Sequence, residues 1–319
     1  MRSNKMVQSS AGKHRSEGYA AILATVVIWS TPSLFQFYLN RFYDPFAQNF
    51  YRYSVAFLGI LPFALFRWRR QKVQPYWDSF WICVPAVFPN VVHQVGQVVA
   101  LHYMGPGVYA VFIRSSVIMT ALLALLFFPE ERWMIRQWQF QAGTLLGLLG
   151  AAGVLWFQPG LRDSPASLGG FGIAFLSSFC WALYGVLVKR PSARLGSIQS
   201  FAIIGFLTSA FLLPLTWVFG RLETPLLVSA RVNWILVVSA VFCIALAHVL
   251  YYVAIREIGV ALSQALHLLT PLGALALSAW IFHERLTTLQ LWSAAILLLG
   301  AFLATQIKPQ VAIEVAENL

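Results

Sequence analysis

Acid is what this sequence has least of. Only 11 of its 319 residues are Asp or Glu, against 22 Lys or Arg, and charged residues of both signs make up just 10% of the chain. Soluble domains carry about 25% charged residues. A water-facing surface cannot be built from so few, which excludes a soluble enzyme, a DNA-binding domain and a disordered chain. Cysteine is scarce too. Cys83, Cys180 and Cys243 each sit inside an apolar run and none belongs to a CxxC pair, so neither a disulfide framework nor a thiolate metal site is expected. HExxH, P-loop and GxSxG patterns are missing, and with them the expectation of an enzyme or a cofactor. The net charge of +11 is spread between apolar runs and not gathered on one face, so no nucleic-acid partner is expected.

What is there in abundance is hydrophobic residues, 59% of the chain. A helix needs roughly 20 apolar residues to cross a bilayer. Runs of that size recur at 19–38, 46–66, 79–102, 107–128, 138–157, 170–188, 198–219, 233–254, 259–281 and 289–307, numbered here spans 1 to 10. They are too long and too uniformly apolar for the alternating strands of a membrane barrel. The first run has no small-residue cleavage signal after it and is read as an uncleaved helix. Short separators carry breakers or charges, as in Arg67 to Lys72, Gly105-Pro106-Gly107 and Lys189-Arg190-Pro191.

Lys and Arg concentrate on the cytoplasmic side of membrane proteins. With both termini inside, fifteen of them fall in inner segments. Only Arg41, Arg162, Arg221, Arg231 and Arg285 lie outside, while Arg52 and Arg114 lie within spans. Trp68, Trp77, Trp133, Trp138 and Trp234 fall near span ends, where aromatics anchor at the interface.

The two halves repeat each other. Gly18, Trp29 and Leu61-Pro62 return 152 residues later as Gly170, Trp181 and Leu213-Pro214. Val99-Ala100 and Gly105 return at 154 as Val253-Ala254 and Gly259. Glu131-Arg132 and Leu145-Leu146-Gly147 return at 153 as Glu284-Arg285 and Leu298-Leu299-Gly300. Five spans is an odd number, so the second copy enters the membrane upside down. Inverted repeats with a binding site between them near the midplane are a transporter architecture. The expected organisation is a cytoplasmic tail over 1–17, a first five-helix repeat over 18–157, a linker over 158–169, a second repeat over 170–307 and a cytoplasmic tail over 308–319. The fold class is all-α integral membrane, ten helices in two inverted repeats. Gly143, Gly147 and Gly150 in span 5 predict close helix packing.

Trp29, Arg52, Glu131-Arg132 closing span 4 and the stretch from Pro271 to Glu284-Arg285 closing span 9, in this order and duplicated, resemble the drug/metabolite transporter superfamily, and within it the ten-helix EamA type. The resemblance covers about residues 18–307. It implies cytoplasmic termini and movement of a small metabolite by alternating access. One departure has a structural consequence. Pro271 of span 9 aligns with Ile118 of span 4, so span 4 is expected to lack the kink of span 9.

No Asp or Glu lies inside any span. This argues against a carboxylate metal site, against intramembrane hydrolysis and against the carboxylate-driven proton exchange of the small multidrug-resistance proteins. Arg52, His93, Arg114, His248 and His267 do lie inside. An Arg at a helix centre costs roughly 2.5–3.5 kcal/mol on insertion scales, so it should face the interior or snorkel. Both Arg residues sit about 10 Å from the outer face at 1.5 Å per residue, and a structural role for either stays open.

Their companions point to a shared cavity. Asn90, His93, Gln94 and Gln97 fall on one face of span 3. Gln48 and Asn49 lie one turn from Arg52, His248 lies one turn from Tyr251 and Tyr252, and Ser263, Gln264 and His267 share a face with Pro271. Trp29, Trp181 and Tyr184 could wall the cavity. The candidate substrate-binding set is Trp29, Arg52, His93, Gln97, Arg114, Trp181, His248, Gln264 and His267. Cationic and neutral donors without an anion favour a carboxylate or phosphate, which Arg binds through paired hydrogen bonds. The expected function is a transporter, acting as an exporter, of carboxylate-bearing or zwitterionic amphipathic solutes such as amino acids. Its expected location is a bacterial inner membrane. The partners are the solute and the bilayer. Coupling to protons or a counter-solute, and a monomer or homodimer, both stay open. A broad-specificity drug or cation exporter of the same fold, or a channel, is the alternative.

Overall fold

The computed structural model describes residues 2–71, 76–100, 102–103, 109, 113–157, 168–282 and 287–307. Lys72, Gly105-Pro106-Gly107, Arg162, Glu284-Arg285, Lys308 and most of the expected linker and the C-terminal tail lie outside the described residues.

Each apolar run is mainly helical where it is described, and no strand occurs among the described residues. Span 2 is Pro45–Gln71 and span 3 is Tyr76–Ala100. Span 5 is Trp138–Trp156, span 6 is Leu168–Leu187 and span 7 is Ser197–Phe219. Span 10 is Thr288–Thr305, opened by a capping box in which Thr287 and Gln290 satisfy each other's backbone N–H. Five described helices, in spans 3, 6, 7, 8 and 10, are each long and apolar enough to cross a bilayer. The polar segment before span 1 is helical as well: the helix runs unbroken from Arg2 to Trp29.

The bundle's outside is greasy and its inside is partly polar, the reverse of a water-soluble fold. Leu58, Phe63, Leu126, Leu145, Phe211 and Leu298 are exposed, while Gln48, Asn49, Asn90 and Gln264 are fully buried. Lipid is the solvent that allows this pattern. Trp77, Trp138 and Trp234 are exposed near span ends, as interfacial anchors should be, whereas Trp133 packs against the core.

The packing shows how the repeats are related. Span 2 packs on its own counterpart, span 7, and span 5 on its counterpart, span 10. Span 1 packs on span 8, and the equivalent pair, spans 6 and 3, does the same. A pseudo-two-fold axis requires this pattern. At the crossing of spans 5 and 10, Gly143 meets Ala304, Gly147 meets Gly300 and Gly150 meets Leu297. One index rises as the other falls, so the two counterparts run antiparallel and the second repeat is inverted. A Cβ on Gly143 would stand 2.7 Å from the Gly300 carbonyl oxygen, so only glycine permits this approach.

Four spans are irregular midway. Span 1 breaks after Trp29 and resumes at Pro32. Span 9 runs Val260–His267, turns at Leu268 and Leu269, and resumes as Thr270–Phe282. Span 8 is helical over Ala230–Ser239, widens to a π-helix over Ala240–Leu246, and continues as Ala247–Ile258. Span 4 corrects the sequence expectation. Although Ile118 replaces proline, a turn at Arg114 and Ser115 precedes the helix Ser116–Phe127, opposite the break of span 9 in the repeat. A turn therefore stands at corresponding places in both spans; in span 4 it occurs without proline, and Arg114 at it donates to His267 O across the repeat.

Candidate functional site

Irregular backbone at membrane depth survives only where protein or a cavity satisfies its polar groups. Here the four interruptions are tied to one another. Trp29 Nε1 donates to Cys243 O in the π-helix at 2.9 Å. Ser30 Oγ reaches Thr270 O at 3.0 Å, and Arg114 Nη1 donates to His267 O at 3.3 Å. Thr270 Oγ1 caps the same His267 carbonyl at 2.7 Å. A π-helix shifts its hydrogen bonds toward i→i+5; here Trp29 donates to the Cys243 carbonyl, and His248 Nδ1 lies beside that of Ile244.

The interruptions surround a cavity of about 190 Å³. One water needs roughly 10–15 Å³ by such a measure, so the space takes several waters or a small solute. Eight of the nine candidate residues line it: Trp29, Arg52, His93, Gln97, Arg114, Trp181, His248 and His267. Among the described lining residues there is no Asp or Glu.

Gln264 is the exception. It is fully buried behind the cavity, and its Oε1 lies 3.4 Å from His267 Nδ1. Other polar neighbours also turn out to be packing groups. Asn90 accepts from the Tyr53 hydroxyl and donates to Thr208 Oγ1, and Gln48 donates to Asn40. Asn49 donates to the Pro45 and Gln94 carbonyls, Ser263 to Gly259 O. Tyr184 is core: its hydroxyl pairs with that of Tyr252, and it lines no part of the cavity.

The sequence reading missed Ser30, Gln36, Tyr109, Cys243 and Thr270, all of which line the space. Gln36 carried a signal, since it lies seven residues beyond Trp29 and so on the same helical face; its Nε2 is 3.5 Å from Gln97 Oε1. Cys243 carried none, because it is the π-helix that turns it inward.

Two rings organise the floor. Trp29 and Trp181 meet edge to face with centroids 5.3 Å apart. His248 and His267 stand 5.2 and 4.9 Å from Trp29, and His93 stands 4.8 Å from Trp181. Each imidazole is fixed through Nδ1. That of His248 lies 2.8 Å from Ile244 O and that of His93 3.1 Å from Ser177 O. A carbonyl only accepts, so Nδ1 carries the proton, and in the neutral ring Nε2 is left as an acceptor. Ser177 Oγ donates to His93 O at 3.1 Å and stands 3.0 Å from the Tyr109 hydroxyl, which completes the support.

The arginines are fixed but not exhausted. Arg52 is 2% exposed, and its Nε donates to Ser239 Oγ at 3.2 Å. Its Nη1 has no partner among the described residues, and neither do Arg114 Nε, His248 Nε2 and Gln36 Oε1. Unpaired buried polar atoms cost free energy. These four atoms belong to residues that line the cavity. Among the described residues, no group of His, Cys, Asp and Glu is arranged to hold a metal ion.

Comparison with known proteins agrees with this architecture. No curated protein matches the chain. A crystal structure described only as that of a protein superimposes with a TM-score of 0.74 at 19% identity, covering 91% of this chain and 98% of that one, which shows a shared fold. The model of the EamA-like transporter family matches twice, over residues 16–156 and again over 168–306. The duplicated match takes in both repeats, and the chain belongs to the EamA-like transporter family.

Proposed function

We propose that this membrane transporter exports small amphipathic solutes bearing a carboxylate, amino acids among them, by alternating access between its two repeats. The reading divides the chain at 158–169, places both termini in the cytoplasm and places the protein in a bacterial inner membrane. The observation that carries it is the acid-free cavity. Arg52 and Arg114 both line it, their Nη1 and Nε respectively are buried without a partner among the described residues, and no described lining residue is an Asp or Glu. A carboxylate would complete both charge and hydrogen bonding. The indoles of Trp29 and Trp181 supply an apolar surface for the rest of the solute, and the Nε2 atoms of the histidines supply acceptors for an ammonium or amide N–H. Trp29, Arg52, His93, Gln97, Arg114, Trp181, His248 and His267 are the proposed contacts, and Gln264 steadies His267 from behind.

Counterflow in proteoliposomes tests the charge preference. Carboxylate-bearing solutes should accumulate against their own gradient, and organic cations should not. Arg52→Ala should weaken the apparent affinity about 10- to 100-fold, the equivalent of the 1.5–3 kcal/mol of a hydrogen bond to a charged group. Movement of cations with exclusion of carboxylates would overturn the reading. Flux that neither saturates nor exchanges would mark a channel.

A further inference from the structure

Glu131 closes span 4 and recurs in the repeat, yet it lies far from the cavity and the transport reading gives it no role. It is 4% exposed. Its carboxylate is fully engaged: Oε1 accepts from Val260 N at 3.0 Å and from Lys189 Nζ at 2.6 Å, and Oε2 accepts from Ala261 N at 3.0 Å. Val260 and Ala261 begin the inner half of span 9, so the carboxylate caps a helix N-terminus, where backbone N–H groups and dipole favour an anion. Gly259 makes room. Its φ is +85°, and a Cβ there would stand 3.0 Å from Glu131 Oε1. Lys189 follows span 6 and also reaches Glu130 at 2.9 Å.

One side chain thus joins the end of a first-repeat span to two elements of the second repeat. The joint lies at the end of the bundle where Gly18 packs on Ile258, the end that loop charge reads as cytoplasmic. The cavity lies on the other side. Its lining runs from Trp29, Trp181 and His267 at mid-span toward Gln36, Gln97 and Leu155, all nearer the opposite ends of their spans. The inner half of span 9, Val260–His267, bridges the two: Glu131 grips its first turn and His267 ends it in the cavity.

We propose that Glu131 is a positioning residue, a latch that closes the cytoplasmic end while the cavity faces outward, and that each transport cycle requires its carboxylate to leave Val260 and Ala261. This rests on the alternating-access reading above. Lys189 neutralises the buried charge while the latch is shut, and release exposes carboxylate, ammonium and two backbone N–H groups to cytoplasmic water together. The closed form is thereby held by interactions that water can replace, as a reversible gate requires.

The test uses the full-length protein in proteoliposomes, with Cys83, Cys180 and Cys243 replaced by serine and His267→Cys as a reporter in the cavity. A membrane-impermeant methanethiosulfonate is applied from either side. With Glu131 intact, labelling should come mainly from outside. Glu131→Gln removes the charge that Lys189 pairs with, and Gly259→Ala pushes a methyl into the carboxylate from the other repeat. Each should shift the inside-to-outside labelling ratio by at least about fivefold, the scale of ordinary conformational coupling, and Glu131→Asp should restore part of the outward preference. Equal thermal melting of reporter and variants separates latch release from misfolding. Lys189→Gln is the second variant where Glu131→Gln fails to fold, and should shift the ratio the same way. An unchanged ratio in the folded variants overturns the latch while leaving transport intact. A reporter sealed from both sides in every protein overturns the alternating-access reading, and the latch with it.

Discussion

Trp29 shows how much one side chain does in this fold. Its indole N–H ends at the Cys243 carbonyl in the π-helix of span 8, and its ring touches Trp181, His248, Tyr251 and His267. Trp29→Phe keeps an aromatic ring and loses the N–H that reaches the Cys243 carbonyl. It should lower stability by about 1–3 kcal/mol and weaken transport in the same assay. Unchanged melting would mean that this bond does not hold span 1 to span 8. The histidines bear on pH. His93, His248 and His267 are the groups lining the cavity whose ordinary pKa falls between pH 5 and 8, and no carboxylate is among its described lining residues. Any pH dependence of flux in that window should therefore flatten when all three become Gln; a profile that survives would place the titrating group elsewhere. The polar face of span 3 shows how far residues alone can be read. Helical spacing put Asn90, His93, Gln94 and Gln97 together, and they are together, yet Asn90 spends its bonds on Tyr53 and Thr208. Spacing gives the face of a helix and not which residues on that face meet protein and which meet the cavity.

At the scale of elements, hydrophobic length was enough to find the spans, because a bilayer fixes how long an apolar helix must be. It could not show where the helices break. Pro32 and Pro271 mark two interruptions, but the turn of span 4 and the π-helix of span 8 have no local signature; their stability comes from partners in the other repeat. The glycines of span 5 were legible for the opposite reason. Small residues at helical spacing matter only if another backbone comes close, and the backbone of span 10 does. Gly147→Leu would drive a side chain into Leu268 and Leu297, so it should cost at least about 1–3 kcal/mol, as overpacking generally does, and lower the melting temperature in detergent and in lipid. Gly172 faces open space, and Gly172→Leu should leave the melting temperature nearly unchanged. Equal effects of the two would contradict the close crossing.

At the scale of the molecule, duplication carried most of the information. A near-constant offset of 152–154 residues and five spans per copy implied inversion, and the antiparallel crossing of spans 5 and 10 realises it. The symmetry brings polar mid-span groups from both copies to the axis region, which is why eight scattered candidates share one space. The solute was less legible, since a lining reports charge and hydrogen-bonding capacity and not the outline of its cargo. The most direct measurement is the reaction of the His267→Cys reporter with a small impermeant thiol reagent, with and without carboxylate-bearing solutes outside. The account predicts labelling from the outer side that such solutes slow and organic cations do not. A cysteine that never reacts from either side, or that only cations protect, would contradict it.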